Sequence, residues 1–320
     1  MLMTYDKASK LINDGKLLHI AGTEELLRKL PKGNWIGGST EYFMTDEGGI
    51  ITDSLLFVTE FPYEGFSIKS YSVNSIGCVA EDAFNNGFSI VIVPFDSAVH
   101  KEYAQNAAGY KDMFIKSIAG WVSGINLDKP EQTPVTVNGK TGDVCMQNAV
   151  ALHMETPTGK EFSINIVNIF EQDQNMPVIE FAHEGFNAVN CLVSGKETVF
   201  AEYLEQNGID EKLPLVGNYS GNGVNISIKS IINGVVNLYA PVFPGIKYRM
   251  AKNISDYEHE FNSRLIGQKS SNVVFSCNCI LNYLYGELEG KSIKGFTGPI
   301  TFGEIAYQLV NQTLVYVTVG

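Results

Sequence analysis

Val224-Asn225-Ile226-Ser227-Ile228-Lys229-Ser230-Ile231-Ile232-Asn233-Gly234-Val235-Val236-Asn237-Leu238-Tyr239-Ala240-Pro241-Val242 is the stretch that decides the fold class. Two runs rich in β-branched residues flank Asn-Gly, a pair that accepts the positive φ angles of a tight two-residue turn, so an antiparallel hairpin is expected. The same strand–turn–strand grammar recurs outward from it. Leu55–Glu60 and Gly65–Val73 read as two strands of a sheet across Phe-Pro-Tyr-Glu. Val144–Met154 and Phe162–Ile169 read as a half-buried pair across Pro157-Thr158-Gly159. Ile90–Val93 is all aliphatic and reads as a buried strand.

Helices are expected between these strands. Tyr5–Ile12 has apolar residues at helical spacing, and Glu24–Leu30 follows Thr23 as its cap. A third helix opens at Asp96 or Ser97 and runs through Asn106, and Thr198–Gln206 forms a fourth. Gly124–Gly142, rich in Pro, Asn, Asp and Gly, reads as a long surface connection. Strand–turn–strand units with inserted helices predict a mixed α/β (α+β) protein. The expected architecture is a layered sandwich of largely antiparallel sheets flanked by helices, in two lobes. No Gly-x-Gly-x-x-Gly follows a strand, so no dinucleotide site is expected.

Charge and composition narrow the function classes. Lys and Arg number 23 against 35 Asp and Glu, for a net charge of −12. Such a chain repels a polyanion, and its densest basic stretch holds only Lys247, Arg249 and Lys252, so no nucleic-acid partner is expected. No apolar run approaches the roughly 20 residues of a membrane span. Met1–Lys10 lacks the pattern of a signal peptide, and the cysteines (78, 145, 191, 277, 279) do not form a disulfide framework. A cytoplasmic protein without membrane contact is the expectation. No cofactor is implied, and Cys277-x-Cys279 alone is a poor metal pair, so no metal is expected.

Three segments carry a family resemblance. Val273-Val274-Phe275-Ser276-Cys277-Asn278-Cys279, Gly295–Ile305 and Asn311–Val317 together form a β-rich run ending in Ser-Cys, a Gly-Phe turn, Phe-Gly-Glu-Ile and a closing Asn-Gln-Thr-Leu strand. Trp35–Thr40 resembles an early Gly-Cys-Ser-Thr turn, with Gly38 where cysteine is common. Leu213–Gly223 resembles a later glycine turn before a hairpin. In combination these resemble FIST domains, intracellular sensory modules. The resemblance implies an amino-terminal region over 1–245 and a carboxy-terminal one over 246–320. It also implies binding of a small metabolite such as an amino acid, and signalling through a protein partner. Relatives usually carry an arginine after Ser-Cys. Here Ile280 and Leu281 follow, which leaves Arg249 as the nearest substitute by sequence.

Candidate ligand-binding residues sit at strand ends. Gly38, Ser39 and Thr40 form one polar turn; Asn218, Tyr219 and Ser220 form another, and the likeness of the two segments suggests an internal repeat. Gly303 permits close approach beside Glu304, a carboxylate in an apolar neighbourhood that must find a donor or be neutral. Cys277 ends an apolar strand, where it either lines a pocket or packs as a core cysteine. Two other functions compete with ligand sensing. One is a hydrolase or transferase with Cys277 as nucleophile, although no elbow, phosphate loop or metal motif surrounds it. The other is a protein-interaction scaffold.

Overall fold

The computed structural model describes residues 1–157, 159–219, 222–265, 272–293 and 295–320. It is a mixed α+β protein of several mostly antiparallel sheets with few helices, as the strand–turn–strand pattern predicts. Two compact units divide the chain. The first comprises Met1–Val167, Ile266–Leu309 and Thr313–Gly320; the second comprises Asn168–Leu265 with Val310–Gln312. The expected boundary near residue 245 therefore falls inside the second unit. The reason is strand pairing: Lys247–Met250 lies antiparallel beside Leu215–Tyr219, which holds it with the residues that precede it.

The first unit is built from three six-stranded sheets. One has the order Leu2–Met3, Leu56–Phe61, Leu17–Gly22, Trp35–Ser39, Thr136–Asn138, Asp143–Cys145. The second runs Gln308–Val310, Glu304–Ala306, Ser117–Ser123, Gly87–Pro94, Ala149–Glu155, Phe66–Tyr71. The third runs Phe162–Val167, Leu314–Val319, Val273–Cys279, Gly298–Thr301, Tyr42–Met44, Gly49–Ile51. Leu17–Gly22 and Trp35–Ser39 are parallel neighbours joined through the helix Glu24–Lys29, whose Thr23 cap accepts a hydrogen bond from Leu26 N at 3.2 Å. Such a connection places the carboxyl ends of both strands on one side.

Sequence-adjacent strands do not always pair here. Leu56–Phe61 and Phe66–Tyr71 fall in different sheets, as do Ala149–Glu155 and Phe162–Val167. Long-range partners win in each case: Phe162–Val167 pairs with Leu314–Val319, and Phe66–Tyr71 pairs with Ala149–Glu155. Thr158, in the second expected turn, lies outside the described residues. The stretch read as a surface connection contains the buried strand Thr136–Asn138, which pairs with Trp35–Ser39.

The second unit holds a six-stranded sheet, ordered Lys196–Val199, Asn190–Val193, Ile179–Glu180, Lys247–Met250, Leu215–Tyr219, Asn222–Ile226. It also holds the three-stranded sheet Gly185–Ala188, Val235–Val242, Ile228–Ile232. The Asn-Gly hairpin forms as expected: Ile232 faces Val235, and Asn233 and Gly234 take φ of 52° and 78°. The suggested internal repeat is not matched by pairing. Trp35–Ser39 has a parallel neighbour, whereas Leu215–Tyr219 is antiparallel to both of its own. No helix among the described residues is long and apolar enough to cross a membrane.

Of the three histidines buried in the first unit, His19 and His153 are held by ring hydrogen bonds within the core. His19 Nε2 accepts from Trp121 Nε1 at 2.8 Å, and its ring meets Trp121 and Phe275 edge-on. His153 lies between Ser89 Oγ at 2.8 Å and Tyr71 Oη at 2.9 Å, and Tyr71 donates to Asp82 at 2.8 Å. Because Tyr71 gives its proton to Asp82, it accepts from His153 Nε2–H, and Ser89 donates to Nδ1. Both imidazoles thus use a ring nitrogen as an acceptor and are neutral. Burial, the larger cause, lowers His19 to about 3 and His153 to about 4 from 6.5. A base with a lowered folded-state pKa protonates first in the unfolded chain, so stability is full above about pH 6.5 and falls toward pH 4. The wild type should therefore lose melting temperature relative to His153→Gln as pH drops from 6.5 to 4.5. Parallel profiles measured by calorimetry would contradict this.

Candidate functional site

A polar cavity of about 260 Å³ opens where the strands Leu17–Gly22, Trp35–Ser39 and Ser117–Ser123 end. Crevices outside the carboxyl ends of neighbouring strands are where ligands bind in open α/β sheets, because loops there diverge around a rigid floor. Ser39 fixes this one. Its Oγ donates to Gly124 O at 2.8 Å, its carbonyl accepts from Gly124 N at 2.8 Å, and its Oγ also accepts from Val135 N at 2.9 Å. Gly124 has no room for a side chain, since a Cβ would stand 1.9 Å from the Phe302 ring. The two strand ends are thereby held side by side.

Thr40 extends the clamp, its Oγ1 donating to Ile300 O at 2.8 Å and its backbone N to Gly22 O at 3.0 Å. Glu41 then turns its carboxylate into the cavity wall with its side chain only 5% exposed. Asn126 Nδ2 donates to Oε2 at 2.7 Å, and Gln132 Nε2 donates to Oε1 at 3.0 Å. Lys129 Nζ lies 3.2 Å from Oε2 and 3.5 Å from Asp53 Oδ2, and its hydrogen bond to Glu41 raises its pKa. Asn126 is itself pinned: its Oδ1 accepts from Tyr42 Oη at 3.2 Å, and its N donates to Gln132 Oε1 at 3.0 Å. Buried carboxylates need such donors. The donor set is two neutral amides plus one half-exposed ammonium.

The lining is acidic. Glu24 and Glu25 are paired with Arg28 and Lys29 at 2.6 Å each, which leaves the carboxylates of Glu41 and Asp53 against the single ammonium of Lys129, a net of one negative charge. Thr23, Thr133 and Gln132 supply neutral polar groups. A narrow, carboxylate-lined recess concentrates cations.

The residues expected from the sequence fall into separate groups. Ser39 and Thr40 line the cavity, but their hydroxyls are engaged with backbone groups. Gly38 sits under the packing of Ile92 and Trp121, which a Cβ would meet at 2.7 and 2.8 Å. In the second unit, Asn218 and Tyr219 end the strand Leu215–Tyr219, and the Tyr219 and Tyr248 hydroxyls are 3.3 Å apart. Arg249 donates its Nη1 to Met176 O, so its guanidinium is tied to backbone. Ser220 lies outside the described residues.

Cys277, Gly303 and Glu304 come together in the first unit, inside solid packing. Cys277 Sγ donates to Gly120 O at 3.4 Å, and burial, Glu304 and Cys279 push its thiol well above the ordinary value. A thiol held protonated is a poor nucleophile. Gly303 O accepts from Val122 N at 2.8 Å. Glu304 is fully buried and receives Thr301 Oγ1 at 3.0 Å, Thr313 Oγ1 at 2.8 Å and Thr313 N at 3.3 Å. Burial outweighs these donors and raises its pKa to about 8. Among the described residues no three His, Cys, Asp or Glu side chains gather as a metal would require.

The sequence reading missed Glu41, Asn126, Lys129 and Gln132. A signal was present: Glu41 precedes Tyr42-Phe43-Met44, an apolar run in which a carboxylate must find donors, the same reasoning applied to Glu304. The donors themselves lie in a stretch read as surface loop.

A family model described as "Family of unknown function (DUF6976)" matches residues 3–320. That match overturns the resemblance to FIST domains, because one other family spans both regions, 1–245 and 246–320, that the resemblance had assigned. Neither a curated protein nor a solved structure matches.

Two outcomes follow from the buried cluster. An acid whose folded pKa is raised, here from 4.5 to about 8, contributes full stability below about pH 4.5 and loses it as pH rises toward 8. Glu304→Gln should therefore gain melting temperature over wild type as pH rises from 5 to 8, by roughly 2–4 °C for each kcal/mol removed; a constant difference would contradict the buried neutral acid. Iodoacetamide in native buffer should modify exposed Cys78 first and spare Cys277 and Cys279 until unfolding, as read by peptide mass spectrometry. Fast labelling at Cys277 would favour the nucleophile.

Proposed function

We propose that this chain, which belongs to the family of unknown function DUF6976, is a binding protein for a small amine-bearing metabolite, of which a zwitterionic amino acid is the type. The observation that carries the reading is the Glu41 carboxylate, buried at the wall of the cavity and oriented by Asn126 and Gln132. Fixed amide donors occupy one lone pair on each oxygen, so the carboxylate is held aimed while it has acceptor capacity left. Its remaining partner, Lys129, is half-exposed and can swing away. A ligand ammonium then replaces Lys129 on Glu41, and Lys129 meets the ligand's own carboxylate. The exchange leaves no buried charge unpaired, which is what a low-dielectric recess demands.

Size and charge agree with this class. The cavity volume of about 260 Å³ falls below the 300–1,000 Å³ of drug-sized sites, which suits a compact metabolite. A simple dianion gains nothing from a lining whose two remaining carboxylates, Glu41 and Asp53, outnumber the one ammonium of Lys129, whereas an amine gains from Glu41 and Asp53 together.

A melting assay with a panel of amino acids, amines and simple carboxylates tests the reading. Amino acids or amines at about 100 times their dissociation constant should stabilise the protein by roughly 2.7 kcal/mol, and carboxylates without an amine should not. Glu41→Gln should abolish the shift, measured by calorimetric titration well below the variant's own melting point. Asp53→Asn, at an exposed position, should keep the fold and weaken binding severalfold. No response to any amine, or a response unchanged in both variants, would sink the proposal.

A further inference from the structure

A second cavity in the first unit, of about 670 Å³, lies beside the amino-terminal helix. The helix Tyr5–Asn13 explains its shape. Ala8 and Ile12 point into the core, while Lys7, Lys10 and Leu11, at spacings of three and four, share another face and line the cavity. Met3, Leu11, Val273 and Val274 are the half-buried apolar residues of its lining, while Phe57, Val58 and Phe275, each 3% exposed, are buried behind it. The volume lies within the 300–1,000 Å³ range of small-molecule sites.

Charge at this cavity is asymmetric once pairs are removed. Lys10 is bound to Asp14 at 2.6 Å, and Glu60 is bound to Lys16 at 2.8 Å. Lys7 has no ion pair among the described residues and stands at the rim. An aliphatic trough with the unpaired Lys7 at its rim, and with the Met1 amino group on its lining lowered to a pKa of about 6 by burial, complements a molecule with an apolar tail and an anionic head.

We infer that this trough between the Tyr5–Asn13 helix and the Val273–Cys279 strand binds an aliphatic carboxylate, with the alkyl chain against Met3, Leu11, Val273 and Val274 and the carboxylate at Lys7. This site is separate from the Glu41 cavity and does not rest on that proposal. An alkyl carboxylate satisfies both halves of the trough, whereas an alkyl ammonium is repelled by Lys7. An alcohol uses the apolar walls alone.

The test is calorimetric titration of the full chain with free carboxylates of 8, 10 and 12 carbons below their micellar concentrations. The matched alcohols and amines are run beside them. Affinity should tighten roughly fourfold for each methylene added until the trough is full, since a buried methylene contributes about that factor. Lys7 is exposed, so Lys7→Glu should fold normally, weaken the carboxylate roughly fivefold and leave the alcohol unchanged. Flotation with vesicles of anionic lipid separates a free acid from a membrane surface. Binding to vesicles but to no free carboxylate would overturn the inference. So would affinity independent of chain length, or equal affinity for carboxylate and amine with no effect of Lys7→Glu.

Discussion

The reciprocal hydrogen bonds between Ser39 and Gly124 are the constraint on which the candidate site depends. They join the end of a strand in one sheet to the end of a strand in another, at 2.8 Å in both directions. With these ends locked, the residues that follow each strand have nowhere to go but alongside one another. Glu41, two residues after Ser39, meets Asn126, two residues after Gly124, at 2.7 Å. The cavity follows from that register. Gly124 is required because the Phe302 ring occupies the space of a side chain, and Ser39 because its hydroxyl both donates and accepts.

Burial gives two carboxylates of the same unit different characters. Glu304 lies among hydroxyl donors in solid packing, where desolvation wins and its pKa rises to about 8. Glu41 has amide donors on both oxygens and a lysine beside it, and it borders open space. The first is sealed within the core; the second borders the cavity on which the proposed binding rests. The line Ser89–His153–Tyr71–Asp82 has the order of a nucleophile, a base and its orienting acid, yet Ser89 is 1% exposed and His153 fully buried. Its hydrogen bonds serve to satisfy polar groups within the core.

Local chemistry was legible in the sequence, and long-range pairing was not. The Asn233-Gly234 turn, the Thr23 cap and the helix from Tyr5 follow from neighbouring residues alone, and all three are present. Which strands share a sheet depends on partners far apart, such as Phe162–Val167 with Leu314–Val319, and no local pattern encodes that choice. The same limit applies to the site. Ser39 and Thr40 stood out as a polar turn at a strand end, but the donors to Glu41 come from 126–132, a stretch whose Pro, Asn and Asp residues read as loop. A buried acid is visible in sequence only as an exception to an apolar run, and its partners only once the chain is folded.

Calorimetric titration of amino acids into the wild type and Glu41→Gln tests the central claim most directly. Saturable binding to the wild type that vanishes in the variant, with both proteins folded at the temperature used, is the result expected. Identical isotherms for the two proteins would show that the Glu41 carboxylate has no part in recognition, and the assignment of this cavity as the binding site would be lost.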